Sequence, residues 1–152
     1  MSAGVAKEVA ALQAALAAEQ AASYGYGIIG SHLTGRRFAA AAADNVAHER
    51  ARDSLTSMLT SRGAQPRPAA AAYQLPIGVR TPAEALSLAV MLERQVAAAY
   101  LGLVAAPDGA LRRFAAEKMR ESAVRAARWS GTAETFPGLP ASALRPGGHA
   151  DR

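Results

Sequence analysis

Apolar residues return every three or four positions over four stretches of the chain, the period of helices that bury one face. In the first stretch, from about Gly4 to His32, Val5, Val9, Leu12 and Leu16 mark that face. Thr34-Gly35 breaks the pattern, and a second helix is predicted from about Arg36 to Arg62, with Gly63 as its natural end. Residues 64–80, AQPRPAAAAYQLPIGVR, hold three prolines and no sustained period, which marks an irregular connection. Thr81-Pro82-Ala83-Glu84 then combines a capping box with proline at the first helical position. It opens a third helix that runs to about Ala106. Pro107-Asp108-Gly109 is a tight turn, and Asp108 is the N-cap candidate for a fourth helix ending near Ser130-Gly131.

The connections set the topology. Short turns make helices one and two, and helices three and four, antiparallel hairpins. The long middle connection is able to cross the length of the assembly and join them. The expected fold is an all-α four-helix bundle of two antiparallel hairpins joined by a long crossover. It occupies residues 1–135, followed by a Pro/Gly-rich tail over 136–152. Gly25, Gly27 and Gly30 cluster near the end of the first helix, which suggests close approach of a neighbouring helix.

Composition agrees. Forty of the 152 residues are alanine, the strongest helix former, and only 5% are aromatic. The chain has no cysteine, which excludes a disulfide scaffold and a thiolate-held metal or iron–sulfur site. The net charge is +5, and 15 of the 17 basic residues are arginine. These arginines are interspersed with acids, so a solvated surface is favoured over a nucleic-acid interface. No run of about 18 uninterrupted apolar residues suits a bilayer, and the N-terminus lacks the form of a secretory signal. A cytoplasmic protein is expected.

Against this apolar background a few polar residues stand inside the stripes. At 100° per residue, Glu19 lies within about 60° of Leu12, Leu16 and Tyr26. Glu93 has the same relation to Leu86, Val90, Val96, Ala97, Tyr100 and Val104. His48 shares the stripe of Leu55 and Leu59, with Asp44, Asn45 and Arg52 beside it. On the fourth helix Leu111, Ala115, Ser122, Ala126 and Trp129 face inward, with Glu121 and Arg128 at the edge. A weak repeat links the halves. Glu19 precedes Tyr26, and Glu93 precedes Tyr100, by the same interval, and Asn45, His48 and Arg52 match Glu121, Val124 and Arg128 in spacing.

At the segments LAAEQAASYGYGIIGSHL, AHERARDSL, TPAEALSLAVMLERQVAAAYLGLVAA and ESAVRAARW the chain resembles the ferritin-like superfamily. Within it, the chain is most similar to the actinobacterial, alanine-rich ferritin-like family of unknown function. The resemblance implies a ferritin-like bundle. Its di-iron members carry a glutamate on helices one and three and Glu-x-x-His on helices two and four. Glu19 and Glu93 match the two glutamates. The second motif falls on Asn45-Val46-Ala47-His48 and the fourth on Glu121-Ser122-Ala123-Val124, so two of six ligands are absent.

The expected metal set is therefore Glu19, His48, Glu93 and Glu121, competing with a structural network that adds Arg52 and Arg128. A guanidinium in that layer binds carboxylates as a fixed cation, and the network is the preferred reading. The expectation is a non-catalytic binding or structural protein with no cofactor, forming a homodimer. No membrane or nucleic-acid partner is expected, and the sequence does not identify a protein partner. The alternative is an iron- or manganese-binding oxidoreductase, electron carrier or iron-binding protein.

Overall fold

The computed structural model describes residues 2–131. The four helices are α1 (Ala3–Ser31), α2 (Gly35–Ser61), α3 (Pro82–Val104) and α4 (Gly109–Ser130). Each end has a local cause. Ser2 caps α1 through its hydroxyl, and Asp108 accepts from the backbone N–H groups of Ala110 and Leu111 to start α4. Thr81 and Glu84 form the complete capping box of α3, with Pro82 behind it. Gly63 and Gly131, which follow α2 and α4, take positive φ of 70° and 76°. The expected tail over 136–152 lies outside the described residues.

The fold is an all-α bundle. Residues 62–81 form the crossover, so α3 lies antiparallel to α1. Gly102 sits against Ala11, while Gly25 approaches Leu92. The crossover is tied along α1. Gln13 donates to the Gln65 carbonyl at 2.7 Å and accepts from the Arg67 amide at 3.0 Å, and Gln20 donates to the Arg67 carbonyl. Leu75, Ile77 and Val79 pack on the core. An irregular segment thus satisfies part of its backbone through side chains of a helix.

The α1–α3 contact is the centre of the bundle. A Cβ at Gly25 would stand 2.4 Å from Leu92 Cδ1, so the missing side chain permits this approach. Gly27 faces open space and Gly30 only brushes Phe38, so close packing is confined to the first of the three glycines. By length and composition alone α3 could cross a membrane, but half of its most apolar window is buried inside the bundle and Glu93 stands within the helix.

The apolar core forms two clusters. One gathers Leu12, Leu16, Leu55, Leu59, Tyr100, Leu103 and Leu111; the other gathers Tyr26, Ile29, Ala41, Ala85, Leu88 and Leu92. Val5 and Val104, expected in the stripes, are exposed instead. Each lies near one end of its helix, where neighbouring helices no longer cover it.

Candidate functional site: a buried ionic layer

Between the two apolar clusters lies a polar layer. Glu19, Asp44, His48, Glu93, Ser122 and Arg125 are all buried, and His48 and Glu93 have no exposed surface. Each helix contributes, because each carries a polar residue on its inward face about midway along the bundle.

His48 joins the first three helices. Its Nδ1 donates to Glu19 Oε2 at 2.6 Å and its Nε2 to Glu93 Oε1 at 3.0 Å. Both partners are carboxylates, so both ring nitrogens carry protons and the ring is an imidazolium. Burial opposes that charge, yet the hydrogen bonds to Glu19 and Glu93, with their negative charges, raise its pKa to about 9.

Glu93 is the hub. Its Oε1 accepts from Tyr26 Oη at 2.7 Å, from Arg125 Nε at 2.9 Å and from His48. Burial works to raise its pKa, but His48 and Arg125 hold the carboxyl below the ordinary range. Burial likewise opposes the charge on Arg125, and Glu93 outweighs it, so the guanidinium is held more firmly protonated. Arg125 also donates to Ser122 Oγ at 3.3 Å. Among the described residues, Glu93 Oε2 is a buried oxygen without a hydrogen-bond partner.

Tyrosines close the layer by a reciprocal exchange between α1 and α3. Tyr26 of α1 donates to Glu93 of α3, and Tyr100 of α3 donates to Glu19 of α1, both at 2.7 Å. Burial, followed by the adjacent carboxylates, drives both phenol pKa values far above their ordinary range, so both remain donors. On the outer side, Asp44 accepts from Arg128 and from the Trp129 indole, whose N–H also reaches Tyr26 Oη. Three carboxylates thus face three cations, and the layer is formally neutral.

The structure brings Glu19, His48 and Glu93 together, with Tyr26 and Tyr100. Arg128 joins through Asp44, at the rim. Glu121 does not enter the buried set. It pairs with Lys118 at 3.0 Å, and its nearest approach to Arg125 is 3.9 Å. Arg52 is placed elsewhere. It turns outward to Asp53, because the next layer beyond His48 is the apolar cluster of Leu55 and Leu59, which has no carboxylate to neutralise it.

The fourth-helix register needs a shift of one residue. Val124 is 57% exposed, whereas Ser122 and Arg125 occupy the inward positions that correspond to Asn45 and His48. Arg125 is the functional residue missing from the sequence expectation. A signal for it exists: it follows Leu111 by a spacing that returns it to within about 40° of the same face, while Val124 falls on the far side.

The donor set does not fit a di-iron centre. Both nitrogens of His48 are committed to carboxylates, Asn45 supplies no carboxylate, and a guanidinium occupies the inward fourth-helix position where a di-iron pattern would need histidine. Among the described residues, no group of three or more His, Asp or Glu has the arrangement to hold a metal ion. A cation entering a neutral layer would have to displace Arg125 or the protons of His48.

Comparison with curated proteins finds no match. A solved structure titled as a conserved hypothetical protein, rv2844, from Mycobacterium tuberculosis, is similar at 38% identity and a TM-score of 0.80. The match covers 83% of this chain and 96% of that one. The family model described as a domain of unknown function matches residues 11–141. The chain therefore belongs to the family of the domain of unknown function DUF4439.

Proposed function

We propose that this chain is a non-catalytic ferritin-like bundle in which an ionic layer occupies the place of a di-iron centre. Its role is that of a binding or structural protein. One observation carries this reading: Glu93 Oε1 is shared by His48, Arg125 and Tyr26, so its acceptor capacity serves protein donors. Such a layer fixes helix register, because sliding any helix by one residue would bury an unpaired charge.

The test is elemental analysis of protein expressed with added iron and manganese. Substoichiometric metal is expected. Stoichiometric metal that is lost on Glu93→Ala would overturn the proposal. The same measurement on Arg125→His, which removes the guanidinium, is expected to raise the metal content, since that residue is the principal competitor for Glu93.

A second reading, an iron- or manganese-binding protein, is favoured by the partnerless Glu93 Oε2. It predicts an absorbance change when Fe(II) and oxygen are added to the native chain, which the ionic-layer reading does not.

A further inference from the structure

At the end of the bundle near the start of α2, Arg36, Arg37, Ala40, Leu86, Arg128 and Trp129 line an open cleft of about 200 Å³. We propose that this cleft binds a small phosphate monoester, with its phosphoryl group among the arginines and an apolar body against Trp129 and Leu86.

The charge argument comes first. Arg128 is partly neutralised by Asp44 beneath it. Arg36 and Arg37 are exposed, and among the described residues neither has a carboxylate partner. Two uncompensated guanidinium groups therefore line one cleft and give it a positive potential. They also stand in the first turn of α2, which has no acidic residue and no side-chain cap, so the helix field adds to that positive potential. A dianion relieves this arrangement. A monoanionic carboxylate would offset only half of it, whereas a phosphoryl group offers three oxygens to several guanidinium forks.

Shape supplies the second argument. The cleft is smaller than the roughly 300–1,000 Å³ of drug-sized sites, which limits the occupant to a phosphoryl group with a ring or short chain. Trp129 and Leu86 are half-buried and give that body an apolar wall. Arg128 lies 5.2 Å from the Trp129 ring centroid, so the cation and the apolar wall are adjacent. The cleft shares only Arg128 and Trp129 with the rim of the ionic layer, where both bond Asp44.

Trp129 is the single tryptophan of the chain, so its fluorescence reports on the cleft directly. The full chain is titrated with phenyl phosphate, inorganic phosphate, benzoate and phenol, with calorimetry in parallel. The expected result is a saturable response to phenyl phosphate, at least tenfold tighter than to inorganic phosphate or benzoate, and none to phenol. Affinity is expected to fall at least tenfold in the Arg36→Ala/Arg37→Ala double variant and to weaken with salt. Both arginines are exposed, so circular dichroism is expected to show an unchanged fold. Absence of saturation at ~10 mM phenyl phosphate, or unchanged affinity in the double variant, overturns the proposal. Equal binding of inorganic phosphate would reveal an adventitious ion only, and equal binding of benzoate would reject the phosphoryl assignment.

Discussion

Glu93→Gln isolates the electrostatic role of the layer, because the amide keeps the volume of the carboxylate and removes its charge. In the native bundle one oxygen of Glu93 accepts from Tyr26, His48 and Arg125. After the change, His48 retains Glu19, but Arg125 loses the buried anion it donates to. Its other carboxylate neighbour, Glu121, is 3.9 Å away and partly solvated. Breaking a buried ion pair from one side costs about 3–5 kcal/mol. For a chain of this size each kcal/mol moves the melting temperature by about 2–4 °C, so a fall on the order of 10 °C is expected. Urea unfolding, followed by circular dichroism and by Trp129 fluorescence, gives the free energy directly. A companion pair separates charge from packing. Glu93→Met leaves Arg125 unpaired, whereas Glu93→Met with Arg125→Met removes both charges and is expected to cost less than the single change. A cost below about 1 kcal/mol for Glu93→Gln, or a double variant worse than the sum of its singles, would refute the coupled layer.

Other consequences follow from the same geometry. The His48 pKa of about 9 lies above its unfolded value. Its stabilisation is therefore complete below pH ~6.5 and is lost as pH rises through about 9, an effect on the order of 3 kcal/mol. Glu93, held below the ordinary carboxylate range, contributes above that range and loses its contribution as pH falls through its lowered pKa. Urea midpoints should thus decline on both sides of mildly acidic pH, and His48→Gln should flatten the alkaline decline. Gly25→Ala forces a methyl against Leu92 and is expected to destabilise by about 1–3 kcal/mol. Gly27→Ala enters open space in the same helix and should stabilise by about 0.5–1 kcal/mol, so thermal melts of the two should shift in opposite directions. Thr81→Ala removes the α3 capping box and should cost about 1 kcal/mol in urea unfolding without changing the native circular dichroism spectrum.

The helices were legible in the sequence because their ends are chemically marked. Thr81, Pro82 and Glu84, Asp108, Gly63 and Gly131 lie at the terminations that local hydrogen bonding and backbone freedom require. Glu19, His48 and Glu93 were legible because a charge inside an apolar stripe must either be neutralised or stay wet. Spacing does not reveal where a long side chain ends. Arg52 and Arg128 lie beside the same inward stripes, but Arg52 meets Asp53 in solvent while Arg128 reaches Asp44 at the rim. Glu121 is similar: its backbone borders the core, but Lys118 draws its carboxylate to the surface. The misplaced Val124 has a different origin. Motif spacing carried from α2 onto α4 does not fix the register of the inward face, which selects Arg125 by geometry.

With that register restored, the two hairpins correspond more closely than the sequence repeat suggested. Glu19 and Tyr26 on α1 answer Glu93 and Tyr100 on α3, and each tyrosine crosses to the other helix's glutamate. Asp44 and His48 on α2 answer Glu121 and Arg125 on α4, a carboxylate four residues before a cation in both. The halves differ where function would be decided. His48 bridges Glu19 and Glu93, whereas Glu93 is the one carboxylate to which Arg125 hydrogen-bonds, and Glu121 is left to Lys118. Glu93 therefore receives two cationic donors and Glu19 one. A metal-centred layer would draw its carboxylates inward toward a shared cation. Here the cations belong to the chain itself, one on a ring and two on flexible stems, and their attachment to α2 and α4 turns the charge balance into a constraint on helix position. The asymmetry also gives Glu93 the larger role in holding the hairpins in register, so Glu93 substitutions should destabilise the bundle more than the matching change at Glu19.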